Sequence, residues 1–529
     1  MDERDRQCLV DLQATDPRDD KKRIEETKGG LFQDSYRWIL ENDDFRRWRD
    51  DQQSRLLWIK GDPGKGKTML LCGIIDELEK STAETGLLPY FFCQGTDSRI
   101  NNATAVLRGL IYLLVKKQPP LISHLRKKYD EGDKEPFEGV NAWFALSEIF
   151  TNILQDPSLK STYLIVDALD ECVTNLLQLL NLIVQKSSIS SHVKWIVSSR
   201  NWPTIEERLK TAGQKVRLSL ELNADSVSAA VSTYIRHKVL QLAQLKDYDN
   251  KTKSDVQDHL SLNAKDTFLW VALVCQNLEK SSRLNTLAML NTFPPGLDPL
   301  YERMIRLICS SDNVHLCKQI LAFVASIYRP ITLNELTSFA KLPNGAPDDL
   351  KSWTEVIELC GSFLTIRDGT VYFVHQSAKD FLLKKASDEI FPSGLEKVHY
   401  AIFSRSLEVM SMTLRRDIYS LGAPGFSIDN VTPPNPDPLA TVRYSCVFWV
   451  DHLHDWHSSE SAKHLDDLED SGAVDNFLRK KSIYWLEALS LLRSMSKGVL
   501  SMAKLEGLLQ VSLKSVVLFY YLEYVLTPL

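Results

Sequence analysis

The eight residues Gly61-Asp62-Pro63-Gly64-Lys65-Gly66-Lys67-Thr68 constrain this chain more than any other feature. They spell GxxxxGK[ST] between an apolar run, Leu56-Leu57-Trp58-Ile59, and a helical pattern, MLLCGIIDELEK. A strand that ends in such a loop and continues as a helix turns backbone N–H groups inward around an anion, with the helix dipole behind them. The expectation is a phosphate-binding loop. Lys67 would bridge the β- and γ-phosphates of a nucleoside triphosphate, and the Thr68 hydroxyl would bind Mg2+.

The alternation continues after the loop. Strands are expected at Pro89–Cys93, Tyr163–Val166, Val193–Val197 and Val216–Leu220, with helical patterns between them. Near-continuous apolar strands separated by helices predict an α/β domain, a parallel sheet covered on both faces, over residues 51–222. A helical lead-in precedes it at 1–50, where Leu31, Tyr36, Ile39, Leu40 and Phe45 recur at helical spacing. Strand signals stop after that domain, and residues 223–325 read as all-helical. Within 326–390, Thr332 and Glu335 form a capping-box start, and Asp368-Gly369 lies between Phe363–Ile366 and Val371–Val374. Helices with a terminal hairpin describe a winged helix. Residues 391–510 are helical again, and 511–529 form an apolar tail unlike the helices before it.

Two further strand ends carry chemistry. Leu164-Ile165-Val166-Asp167-Ala168-Leu169-Asp170-Glu171 places Asp167 at the sheet edge where it would meet the metal. Asp170 and Glu171 follow, close enough to orient or deprotonate an attacking water. Three carboxylates together repel unless a metal or a shared proton offsets them. Trp195-Ile196-Val197-Ser198-Ser199-Arg200 ends in hydroxyls and a cation. Arg200 either senses or stabilises the γ-phosphate or caps the strand at the surface.

Composition bounds the rest. With 529 residues, 44% hydrophobic and 25% charged, the chain is a multidomain globular protein. The net charge of -6 argues against nucleic acid as a ligand of the winged helix or of the chain as a whole. Nine scattered cysteines without a CxxC pair fit a reducing compartment, and no run is long enough to span a bilayer, so a cytoplasmic protein is expected.

GDPGKGKT, LIVDALDE and VSSR together resemble the NACHT nucleoside triphosphatases, the STAND class of signalling switches. The words TDPRDDKKRIEETKGGLFQDSYRWIL, DTFLWVALV and FVHQSAKDFL look most like the fungal members related to heterokaryon-incompatibility factors. That resemblance covers roughly residues 8–510. It implies a nucleotide domain, a helical domain, a winged helix and a further helical domain. It also implies Asp167, Asp170 and Glu171 as the Walker B group and Arg200 as a sensor. His375, by itself an ordinary structural histidine, matches a winged-helix histidine that contacts the β-phosphate of bound diphosphate. Thr27-Lys28-Gly29-Gly30 falls where relatives hold the base. The implied mechanism is a slowly hydrolysing switch that self-associates in the triphosphate form, alone or with longer relatives. ATP/ADP with Mg2+ is the expected ligand and GTP remains open: Thr252-Lys253-Ser254-Asp255 has the letters of a guanine motif but falls too late in the chain. The alternatives are a nucleotide-binding scaffold without turnover and a P-loop small-molecule kinase. Without effector domain or repeats, the chain is expected to be a truncated gene product or one with a mispredicted last exon.

Overall fold

Leu56, Leu57, Trp58 and Ile59 are all fully buried, and they form the centre of the sheet as strand β1 (Leu56–Lys60). The structure, a computed structural model, describes residues 2–512 apart from 83–85, 140, 188–191, 213–214, 343–346, 348, 423–425, 427 and 458–465. The expectation for the tail at 511–529 therefore lies almost wholly outside the described residues. The chain divides into two compact units, Met1–Arg303 and Met304–Leu529.

In the first unit, β1 is followed by β2 (Gly86–Leu87), β3 (Tyr90–Phe92), β4 (Ser161–Asp167), β5 (Val193–Ser199) and β6 (Lys215–Ser219). All pair in parallel, in the order β2-β4-β5-β1-β6, and β3 continues the edge by pairing with β4. The expected parallel α/β sheet is present. The short strand β2 was not foreseen, because two residues carry no period.

The lead-in is helical and is divided into several helices, the first at Glu3–Leu12. Helix α1 (Pro17–Thr27) lies in its polar part, begun by the Asp16 cap and the pre-set φ of Pro17. The apolar stretch then breaks into Gln33–Tyr36, Trp38–Glu41 and Asp43–Asp50. The last break has a visible cause. Asn42 leaves the helix and its Oδ1 accepts the Asp44 and Phe45 N–H groups at 3.0 and 3.3 Å. Helix α2 (Lys67–Thr82) leaves the loop, and α3 (Ala224–Lys246) and α4 (Phe268–Lys280) carry the helical part of this unit.

In the second unit the winged-helix expectation is met. Strands β8 (Leu364–Arg367) and β9 (Thr370–Phe373) make the hairpin, and an unforeseen strand β7 (Ile331–Thr332) pairs antiparallel with β9. Thr332 and Glu335 form the capping box, each side chain bonding the other's amide, at 3.2 and 2.9 Å. Helix α5 (Gln376–Lys384) follows the hairpin. Beyond it, long helices at Leu395–Thr413, Arg443–His457 and Ala473–Leu491 enclose a core that includes Trp449, Phe477 and Trp485. Among the described residues no helix is long and apolar enough to cross a membrane.

Candidate nucleotide site

Strand register assembles the site. Lys60 pairs with Ser199 and Ile59 with Ser198, while Val166 pairs with Val197 on the other side of β5. The carboxyl ends of β4, β5 and β1 therefore finish level, and Asp167, Ser198 and Gly61 emerge side by side at the edge where open α/β sheets bind ligands.

The loop itself is tightly braced. Gly64 and Gly66 have φ of 79° and 84°, the left-handed region where a side chain is strained. Lys67 Nζ folds back on the loop and donates to Gly61 O at 2.5 Å and Asp62 O at 3.0 Å. Glu221 accepts the Asp62 N–H at 2.7 Å, and Asn201 donates to the Asp62 carboxylate at 3.0 Å. Burial pulls the Lys67 ammonium below its ordinary pKa, against the pull of Asp170 and Asp167.

A segment two hundred residues later closes over the same loop. Lys65 Nζ donates to Lys265 O at 3.1 Å. A Cβ on Gly64 would stand 2.7 Å from Thr267 Cγ2, and one on Gly66 would stand 2.9 Å from the Phe268 ring. Gly66→Ala therefore meets both a forbidden φ and an aromatic wall. It should lower stability by about 1–3 kcal/mol and raise the nucleotide dissociation constant, both read from thermal melts with and without nucleotide.

Asp167 is buried at the end of β4. The Ser198 hydroxyl donates to its Oδ1 at 2.5 Å and accepts the Ala168 N–H at 2.8 Å. Ala168 has φ 54°, an uncommon conformation for a residue with a side chain. Burial raises the Asp167 pKa, while hydrogen bonds from Ser198 and Thr68 favour its charged form. The Thr68 hydroxyl is thus within reach of the Asp167 carboxylate. One carboxylate beside one hydroxyl suits Mg2+, a hard cation that takes the rest of its shell from water and phosphate oxygens. Among the described residues no cluster of three or more His, Cys, Asp or Glu side chains could hold a metal unaided.

Asp170 and Glu171 part company in the short helix Leu169–Glu171. Arg200 Nε lies 2.9 Å from Asp170 Oδ2, and the Arg200 N–H donates to Asp170 Oδ1 at 2.8 Å. Both oxygens of Asp170 are therefore engaged. Among the described residues Glu171 accepts only the Gly95 N–H, at 2.9 Å, and burial beside Asp170 pushes its pKa up to about 7. The structure brings Gly61–Thr68, Asp167, Asp170, Glu171 and Arg200 together. Gly95, Asn201 and Glu221 escaped the sequence reading, since none sits in a motif, and the word DTFLWVALV, which starts at Asp266, gave no sign that it would press on the loop. Thr252–Asp255 lies within the helix Asn250–Asn263, away from any strand end.

His375 belongs to the second unit. It caps α5, its Nδ1 accepting the Ser377 N–H at 3.1 Å and lying 2.7 Å from Ser377 Oγ. That bond fixes the ring relative to the helix.

Residues 34–200 match the family described as Nephrocystin 3, N-terminal, and residues 301–392 match that described as GPI inositol-deacylase, winged helix domain. Among solved structures the chain is similar to the Walker-type ATPase of Pyrococcus abyssi, with 12% identity and a TM-score of 0.30 over 67% of this chain and 96% of that one. It is also similar to PCH-2 of C. elegans, with 11% identity and a TM-score of 0.29 over 54% and 68%. Both likenesses are distant.

A braced phosphate loop beside a strand-end aspartate, followed in the chain by helices and a winged helix, defines a P-loop protein with the arrangement that the NACHT resemblance implies. The chain is homologous to the vegetative incompatibility protein HET-E-1 of Podospora anserina, with 60% identity over 516 residues. The match covers 95% of this chain and 38% of HET-E-1, so the chain spans well under half of that relative.

Proposed function

We propose that the chain is a nucleoside-triphosphate switch that hydrolyses slowly and self-associates in its triphosphate form, in a signalling role of the incompatibility kind. The observation that carries this is the division of labour at the β4 end. Asp170 is held by Arg200, which leaves Glu171 to position water, and a carboxyl with a pKa of about 7 is only partly ionised at neutral pH. A base whose pKa lies near the operating pH is suited to take a proton from the attacking water, the step that would reset the switch.

In this reading Lys67 and the loop amides bind the phosphates, and Thr68 with Asp167 would hold Mg2+, which would supply positive charge to offset that of the phosphates. Arg200 then acts by fixing Asp170 and by the charge it lends to the γ-phosphate. Adenine is the favoured base, with GTP the alternative. His375 enters on the resemblance alone, as the group whose contact with diphosphate separates the two states. A ligand shifts such an equilibrium only through different affinity for each state.

Native mass of the purified protein, with diphosphate and with a non-hydrolysable triphosphate, tests the proposal. The expected result is a monomer with diphosphate and a larger species with triphosphate, and His375→Ala should assemble at lower triphosphate concentration. The same mass in both nucleotides would overturn the switch.

A further inference from the structure

A continuous line of hydrogen bonds runs through the second unit, away from the nucleotide site. His399 lies on the helix Leu395–Thr413, and Tyr444 and His452 lie on the helix Arg443–His457. Both imidazoles are buried, His452 completely, as is Tyr444. The two Nδ1 atoms stand 2.8 Å apart, and His452 Nε2 lies 2.7 Å from the Tyr444 hydroxyl. The winged helix supplies the far end through Tyr328. The Tyr328 N–H donates to the Tyr444 oxygen at 3.3 Å, and the Tyr328 hydroxyl donates to Asp455 Oδ2 at 2.7 Å. The Tyr328 ring also packs against His452, with centroids 4.7 Å apart.

Two ring nitrogens at hydrogen-bond distance share one proton, and the rest of the line decides which ring supplies it. If His399 did, His452 Nε2 would carry a proton toward Tyr444. The Tyr444 O–H would then be buried without an acceptor among the described residues. If His452 supplies it, Nε2 is bare and accepts the Tyr444 O–H, while the Tyr444 oxygen accepts the Tyr328 N–H. Only this second order satisfies every group, and it needs both imidazoles neutral. One proton added at His399 drives His452 into the other tautomer and orphans the Tyr444 hydroxyl, a costly loss in a buried site. A second proton sets two N–H groups against each other.

The surrounding charges do not offset that cost. Lys379 on α5 opposes a proton on His399, whereas Asp455 and Glu396 favour one. Asp455 is engaged by Tyr328 and stands 3.2 Å from His454, and Asp451 is engaged by Lys504. Glu335 holds Arg329, whose guanidinium lies 5.3 Å from the centroid of the Tyr444 ring. Burial outweighs these charges and keeps both imidazoles below their ordinary pKa.

We propose that the line Tyr328–Tyr444–His452–His399 is a proton-operated latch between the winged helix and the helical domain that follows it, closed while both imidazoles are neutral and opened by acid. Imidazoles whose folded pKa is lowered take up protons later than those of the unfolded chain. The latch is therefore at full strength above pH 6.5 and weakens as pH falls below it. It frees the winged helix by a route that does not involve nucleotide.

The test is amide hydrogen exchange of the full chain at about pH 7.5 and about pH 5.5, corrected for the intrinsic rate, beside the double variant His399→Gln with His452→Gln. In wild type the helix Arg443–His457 and the segment carrying Tyr328 should lose about tenfold in protection at the lower pH, while β1 and β5 keep theirs. The double variant should show no such pH dependence. Exchange of the imidazole C2 hydrogens, read for each histidine by mass spectrometry, needs no variant and tests the latch even if the double variant does not fold. His399 and His452 should both titrate below pH 6.5, in step with the loss of protection. Protection that is the same at both pH values, an equal loss in the double variant, or either imidazole titrating at its ordinary pKa overturns the latch. A loss spread evenly over both units would be acid unfolding of the whole chain, and would overturn it as well.

Discussion

Lys67→Ala should lower nucleotide affinity by about two orders of magnitude or more while leaving the apo fold intact. The structure explains why these two effects separate. Without ligand, the Lys67 ammonium is satisfied by Gly61 O and Asp62 O, so its job there is to neutralise itself. Those two carbonyls accept a bond that burial makes expensive, since desolvation already depresses the Lys67 pKa. Removing the side chain removes both the cost and the bond, and the apo melting temperature should hardly move. With phosphate present the balance is different. A charge-assisted bond to a doubly ionised group in a partly dry site contributes about 1.5–3 kcal/mol, and its loss leaves the phosphate charge uncompensated as well. Calorimetric titration with ATP and ADP reads the effect directly. Unchanged affinity would sink the assignment of the loop.

Glu171→Gln should preserve triphosphate binding and slow phosphate release by about a hundredfold or more. Gln keeps an oxygen to accept the Gly95 N–H, so the short helix Leu169–Glu171 should hold its shape. What it removes is the basic oxygen. The wild-type pH profile should show the same group. Because burial and Asp170 raise the Glu171 pKa to about 7, turnover should climb from pH 6 to pH 8 and then level. The stability sign is opposite. A carboxyl whose folded pKa lies above its unfolded value contributes stability below pH 4.5, and that contribution is lost as pH rises through 7. Glu171→Gln should therefore melt higher than wild type at pH 8 and lose that advantage in acid. A flat pH–rate profile in wild type, or undiminished phosphate release in the variant, would remove Glu171 from the chemistry.

Much of this site was legible because its parts are local. Strand, glycine loop and helix follow one another between Leu56 and Thr82, and each strand end carries its own polar word. Parallel register then does the assembly, since strands that begin together finish together. The hairpin and its capping box were legible for the same reason. What stayed hidden was set by distant partners. Nothing in the letters of Gly95, Asn201 or Glu221 ties them to the site, and only the fold brings them to Glu171 and Asp62. Asp170 and Glu171 read as equivalent carboxylates until Arg200 is seen to occupy one of them. The helical spacing of the lead-in does not show where its helices break, because Asn42 spends its side chain on the backbone and outweighs the apolar spacing.

The bond from Lys65 to Lys265 sets a schedule for biosynthesis. Chains emerge from the ribosome N-terminus first, and domains fold as their last contacts appear. The glycine loop is synthesised early, yet the residues that press on Gly64 and Gly66 arrive only with Thr267 and Phe268, about halfway through the 529. Until then the nascent sheet carries an unsupported loop. The fully braced cradle is therefore a property of the finished first unit, and nucleotide present during translation would find it only once that unit has cleared the exit tunnel.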